Sequence, residues 1–290
     1  MKKIKSSIGS LIIYNFILFL NFLERKFKKI RIVKFDKFKN SKYKFFSNKP
    51  NFIIFSDDDY VSRDTYINGP YDYNLIKRSL KFIKKRKKIT FIDVGANIGT
   101  VCISAIKDKL FKNCIAFEPN DKIFNVLKAN ILINNLTKSI ESYDFCLADK
   151  NRDNLFFSEH KSNFGDNKFN KKKSKKSINF PRDKVKTLNS FYNKVNPKNT
   201  LIKIDVQGFE INVILGAKKF IKRGTPIVIE LDKHIWKNKK INSFIKLITK
   251  NYSYFVDLNI ANSGKEKISD FIGFLKYMSK NNITKNVLLF

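Results

Sequence analysis

The chain has 290 residues, 43% of them apolar, and a formal net charge of +34. That length suits one α/β domain with an N-terminal extension, and the apolar content excludes a disordered chain. The charge is carried by 51 Lys and only 8 Arg, beside abundant Asn, Ile and Phe. Arg is the better reader of phosphates and base edges, so this balance predicts a solvated lysine surface, and nucleic acid is not expected as a partner.

Cys102, Cys114 and Cys146 form no CxxC pair and each sits in an apolar stretch. Buried thiols and a reducing, cytoplasmic setting are expected. Near the N-terminus, Ile8 to Leu23 is strongly apolar, with Lys2, Lys3 and Lys5 before it and Arg25, Lys26, Lys28 and Lys29 after it. It falls short of the roughly 20 residues that span a bilayer, and no small-residue cleavage site follows. It reads as a helix packed on the domain, a helix in the membrane interface or a short anchor. Membrane-surface contact through residues 8–29 is slightly favoured, which would make the protein peripheral. Residues 1–50 are therefore read as an extension and residues 51–290 as the main domain.

The stretch beginning IIFSDDDYVSRD reads as a strand, a turn and a polar segment. Leu75 to Lys85 then reads as a helix, with Leu75, Ile76, Leu80 and Ile83 at roughly helical spacing. The next segment is the informative one. ITFIDVGANIGT is an apolar strand, Ile89 to Val94, running through a glycine turn into a helix. Gly95 and Gly99, with Ala96 and Asn97 between them, would let a ligand approach the backbone, and the helix N-terminus offers free N–H groups. The spacing is GxxxG, not the three-glycine dinucleotide fingerprint. Asp93 at the strand end suits an ammonium better than a pyrophosphate, which points to a cofactor with an amino-acid tail, S-adenosylmethionine.

The second strand, Cys114 to Phe117, ends in Glu118, about 20 residues past the glycines, where an acid accepts hydrogen bonds from ribose hydroxyls. Asn120 reads as the N-cap of the following helix. A third strand is expected around Ser139 to Ala148, with Asp149 after it as a candidate near the adenine. The polar stretch Lys150 to Lys184 carries the run FNKKKSKK and reads as a long loop over the acceptor, an anionic one being considered.

Leu201 to Ile204 is the fourth strand and Asp205 ends it. Pro226 to Asp232 is the fifth, and YSYFVDL and FIGFLKY are read as two more. This alternation is the pattern of a doubly wound, Rossmann-like sheet of seven strands, mostly parallel with an antiparallel terminal strand. Ligands bind such sheets where the winding reverses, which predicts that Asp93 and Asp205 face one cleft. Candidate catalytic residues are Asp205, Glu210 and His234. A carboxylate or His can take the proton of a hydroxyl acceptor, although Glu210 also suits the first turn of a helix by charge alone. No cluster shows metal-ligand spacing, and the metal requirement is open.

FIDVGANIGT, AFEPN, LKANILINN, TLNSF and IKIDVQGFEINVILGA together resemble the FkbM family of methyltransferases, over roughly residues 60–235. The resemblance implies a class I S-adenosylmethionine-dependent fold and methylation of a hydroxyl, often on a carbohydrate or small metabolite. Two positions depart from the family pattern. Gln207 stands where the family usually has Glu, and Asn189 where it usually has Asp. These departures, with the apolar N-terminus, raise one alternative, a catalytically silent, membrane-associated protein that keeps the cofactor fold; the charge raises another, an RNA-binding or RNA-modifying protein.

Overall fold

The computed structural model describes residues 50–55, 58, 60–83, 90–160, 163, 167–170, 173, 174 and 177–290. The chain divides into two units, Met1–Lys49 and Pro50–Phe290. The apolar segment Ile8 to Leu23 lies outside the described residues.

Two short helices, α1 (Val61–Asn68) and α2 (Tyr73–Ser79), precede the sheet. Then β1 (Thr90–Val94), α3 (Thr100–Lys107), β2 (Asn113–Phe117), α4 (Asp121–Ile133) and β3 (Ile140–Tyr143) alternate. An insertion follows, carrying β4 (Cys146–Leu147), β5 (Phe156–Ser158), β6 (Lys168–Asn170), β7 (Ile178–Asn179) and β8 (Val185–Lys186). The second half holds β9 (Thr200–Ile204), α5 (Glu210–Leu215), α6 (Lys218–Ile221), β10 (Ile227–Leu231), α7 (Ile241–Asn251), β11 (Tyr254–Asp257), β12 (Glu266–Lys267), α8 (Phe271–Lys280) and β13 (Lys285–Leu289).

The main sheet runs β12-β11-β13-β10-β9-β1-β2-β3. Strands β3, β2, β1, β9 and β10 are parallel, and β13 runs antiparallel to both β10 and β11. Six of the seven expected strands are present; β13 takes the place of the seventh, and the two-residue β12 adds an eighth at the edge. The central strands are apolar without alternation because helices cover both faces. Ile92, Val94, Ile202 and Ile204 pack toward α5, α6, α7 and α8. Phe91, Cys114, Ala116 and Leu201 pack toward α2, α3 and α4. All three cysteines are free and buried.

Three expected elements differ. FIGFLKY is part of α8, where Phe271, Leu275 and Met278 recur at helical spacing and are buried. The third strand ends at Tyr143, and Cys146–Leu147 leaves the main sheet to pair with β8. Residues 51–55 form no strand. Their backbone pairs instead with side chains of α4: Asn134 exchanges two hydrogen bonds with Asn51 at 3.1 and 2.7 Å, and Asn130 two with Ile53 at 2.6 and 3.0 Å. Two amides one helical turn apart thus act as a neighbouring strand would. Asn130 also donates to Ile98 O at 2.8 Å, tying this N-terminal strap, which continues from residue 51 through α1 and α2, to the glycine turn.

Candidate active site

Strand order reverses between β1 and β9, and a cleft opens at their carboxyl ends, lined among others by Gly95, Asn97, Glu118, Lys203, Asp205 and Glu230. The floor is drawn tight. The Gly95 and Ala96 N–H groups both donate to Phe117 O, and Asp205 N donates to Val94 O. Gly95 has φ +82, and a Cβ there would lie 1.9 Å from Asp205 O. Only glycine lets the β1 and β9 turns approach this closely. Gly99 does not line the cleft. A Cβ on it would lie 2.7 Å from both Ile103 and Leu127 side chains, so it serves helix packing and not ligand approach.

Glu118 is 7% exposed and lines the cleft. Its Oε2 accepts from Asn97 N and its Oε1 from Asn120 N, each at 3.0 Å. Burial raises its pKa to about 7, against those two donors. A carboxylate accepts about four hydrogen bonds, so capacity remains for a ribose diol. Asn120 also caps α4, its Oδ1 accepting from Ile123 N at 3.1 Å. Phe117, Phe145, Cys146 and Leu147 give this end an apolar wall suited to an adenine ring.

Asp149, the expected adenine neighbour, lies elsewhere. Its carboxylate meets Lys240 Nζ at 2.7 Å, and Lys240 also donates to Asn212 at 2.8 Å. The apolar wall was missed because it lies in β4, after the strand breaks, and it is Phe145 to Leu147 that turn toward the cleft.

At the other end, Asp205 is held from two sides. Lys203 Nζ lies 3.1 Å from Oδ2, and Gln207 Nε2 donates to Oδ1 at 2.7 Å. Gln207 reaches Glu230 Oε2 as well, at 3.2 Å. The repulsion of Asp205, then burial, raises the Glu230 pKa to about 9. Asp93, expected to meet the ligand, lies beneath the cleft beside Lys203 and is not among the residues that line it. It is 1% exposed and its two oxygens lack a hydrogen-bond partner of good geometry. In register it stands beside Lys203, across β1 and β9. Burial pushes its pKa to about 6 against the pull of Lys203. Burial pushes the Lys203 ammonium the other way, but Asp205, Asp93 and Asp72 outweigh it and hold its pKa above the usual lysine value.

Two expected catalytic residues stand outside this cleft. Glu210 is 3% exposed and its Oε1 accepts from Val206 N at 3.1 Å and Gly208 N at 3.0 Å, pinning the turn after β9. His234 is exposed at the start of a short 3-10 helix, and both line a separate small depression. Asn189 is likewise structural: its Oδ1 accepts from Lys219 N at 2.9 Å and caps α6, which an amide does as well as a carboxylate. The strap supplies residues that sequence reasoning passed over, Tyr71 and Asp72, and three non-glycine residues with left-handed φ border the cleft: Asp72, Asn97 and Gln207. Held backbone strain of this kind concentrates at functional sites. Among the described residues, no group of three or more His, Cys, Asp or Glu is arranged to hold a metal ion, and no helix is long and apolar enough to cross a membrane.

Residues 93–258, more than half of the chain, match the family model of the methyltransferase FkbM domain. The chain belongs to this family. It is an S-adenosylmethionine-dependent methyltransferase, and the cleft from Glu118 to Asp205 fits that cofactor: an apolar wall, an acid for the ribose and a polar, acidic end for the charged tail. Among curated proteins, none matches the chain. Solved structures similar to this FkbM-family chain include the precorrin-6y C5,15-methyltransferase of Geobacter metallireducens, 9% identical over 83% of this chain and 94% of that one, with a TM-score of 0.41. TYW2 of M. jannaschii, solved in complex with AdoMet, is 12% identical over 76% of each chain, with a TM-score of 0.38.

Proposed function

We propose that this methyltransferase methylates a hydroxyl group of a carbohydrate or small metabolite. The observation that carries the reading is the acidic end of the cleft, where Asp72, Asp205, Gln207, Glu230 and Tyr71 line the wall around the charged tail of the cofactor and the acceptor beside it. These groups suit the hydrogen bonds of a neutral polyol. They disfavour an anionic acceptor, which the lysine-rich loop alone would have suggested.

Methyl transfer to a hydroxyl needs alignment and removal of one proton. When bound, S-adenosylmethionine supplies an electrophilic methyl group and departs as the neutral thioether. Lys203 and Gln207 hold Asp205 in place, so it orients what binds above it. Glu230, with its pKa raised to about 9, carries a proton at neutral pH that it can offer to the acceptor. A carboxylate at this end, Asp72 or Asp205, receives the proton that leaves the acceptor oxygen as the carbon–oxygen bond forms and the sulfur–carbon bond breaks.

The test is transfer of radiolabelled methyl from S-adenosylmethionine to a panel of neutral glycosides, uronates and sugar phosphates. Turnover confined to neutral hydroxyl acceptors supports the reading. Turnover of the anionic acceptors alone, or of none, sinks it. The apolar stretch Ile8 to Leu23 with its lysine flanks further supports contact with an anionic membrane surface. Loss of co-sedimentation with phosphatidylserine vesicles after substitution of Lys26, Lys28 and Lys29 by Gln would support it, and full retention would oppose it.

A further inference from the structure

Four carboxyl groups and a single ammonium line the cleft among the described residues, in a chain of net charge +34. The ammonium, Lys203, is already shared. It pairs with Asp205 at 3.1 Å and also faces Asp93 and Asp72. Asp93 below it is buried without a satisfying hydrogen bond, so part of the lysine charge is spent beneath the floor. The end of the cleft near Asp205 therefore keeps an excess of negative charge that no cation among the described residues balances.

Asp72 is the least engaged of these groups. It sits on the strap, upstream of the matched residues 93–258, with a left-handed φ of 57 just before α2. Its carboxylate makes no hydrogen bond among the described residues, whereas Asp205 and Glu118 have both oxygens occupied. The groups that face it are Lys203 on β9, Asp205 after β9, Asp64 on α1, Tyr71 beside it and Glu230 on β10.

We propose that Asp72 is a specificity-determining residue that makes this cleft select the cationic sulfonium cofactor over its neutral thioether product. S-adenosylmethionine carries one more positive charge than S-adenosylhomocysteine, and the two are otherwise nearly the same shape. A field from uncompensated carboxylates acts on that difference alone. In a partly buried setting, one unit of charge at several ångströms changes an affinity on the order of tenfold or more. The site thus holds the methyl donor and lets the spent product go.

The proposal rests on the cofactor and not on the acceptor, so it can be tested without one. The full chain is titrated by calorimetry with S-adenosylmethionine and with S-adenosylhomocysteine at pH 8 and pH 5.5. Wild-type protein binds the sulfonium on the order of tenfold more tightly at pH 8. Burial raises the Asp72 pKa to about 6, against Lys203, so the ratio shrinks at pH 5.5 as the carboxylate takes a proton. Titration of Glu118 acts on both ligands alike, and because Asp93 titrates in the same window as Asp72, the pH change belongs to Asp72 where Asp72→Asn removes it. Asp72→Asn brings the ratio toward one at pH 8, and Asp72→Glu keeps it. Equal or tighter binding of the thioether by the wild-type protein overturns the proposal, as does an Asp72→Asn effect that is the same for both ligands. If Asp72→Asn does not fold, the wild-type ratio decides, and a ratio independent of pH overturns the proposal.

Discussion

Gln207 donates its side-chain amide to Asp205, 2.7 Å from Oδ1, and so places a neutral group between two acids, the second being Glu230 at 3.2 Å. The family usually carries a glutamate at this position. Here the amide does what a shared proton or a cation would otherwise have to do, by giving one N–H to each carboxylate. The departure is therefore consistent with a working site and does not by itself silence it.

Gln207→Glu should destabilise the ligand-free protein at pH 8, by about 1–3 kcal/mol, because two donors become a third carboxylate. The pKa of Glu230 is already raised, and that of the new glutamate would be raised too. Groups of this kind contribute stability that is present at low pH and lost as pH rises through their folded-state pKa. The deficit should therefore shrink at pH 5.5. Thermal unfolding at the two pH values checks this, and an equal deficit at both would contradict it.

Asn189 caps α6 and does not reach the cleft. Asn189→Ala should cost about 1 kcal/mol in urea unfolding, and Asn189→Asp much less. Neither should change S-adenosylhomocysteine affinity by more than about twofold, a change of about 0.4 kcal/mol. A tenfold loss of affinity would return this residue to the site.

Asp149 is bound to Lys240 and lies outside the cleft lining. Asp149→Ala should lower stability by no more than about 1 kcal/mol, the scale of a partly exposed ion pair. Cofactor affinity should be unaffected in the same preparation. A selective loss of affinity, measured by calorimetry, would show that the adenine contact exists after all.

The parts of this site that could be read from sequence are those set by local pattern. ITFIDVGANIGT and AFEPN place a strand, a turn and a helix in sequence order, so Gly95, Asn97 and Glu118 fall at one sheet edge once the strands are parallel. The rest depends on partners distant in the chain. Asp149 and His234 each follow a strand, yet Lys240 takes the first and the second stays in solvent. Asp93 carries the right chemistry, but it is buried beside its register partner on β9, Lys203, whose charge it faces. Ile53 and Ile54 read as strand residues because their partner, the Asn130 and Asn134 pair on α4, offers hydrogen bonds from side chains. FIGFLKY is aromatic enough to suggest a strand, and only the spacing of Phe271, Leu275 and Met278 marks it as helix. Asp72 and Tyr71 carry no motif that single-chain reading detects, and the strap alone brings them to the cleft.

The central claim is that the cleft between β1 and β9 holds S-adenosylmethionine with Glu118 on the ribose. The most direct test is calorimetric titration of S-adenosylmethionine into the wild-type chain and into Glu118→Ala, with folding verified by circular dichroism. The account predicts binding of about micromolar affinity, or −8 kcal/mol, to the wild type and a loss on the order of a hundredfold in the variant. Binding that survives unchanged in Glu118→Ala would contradict the placement of the cofactor, and no binding to the wild-type chain would contradict the cofactor itself.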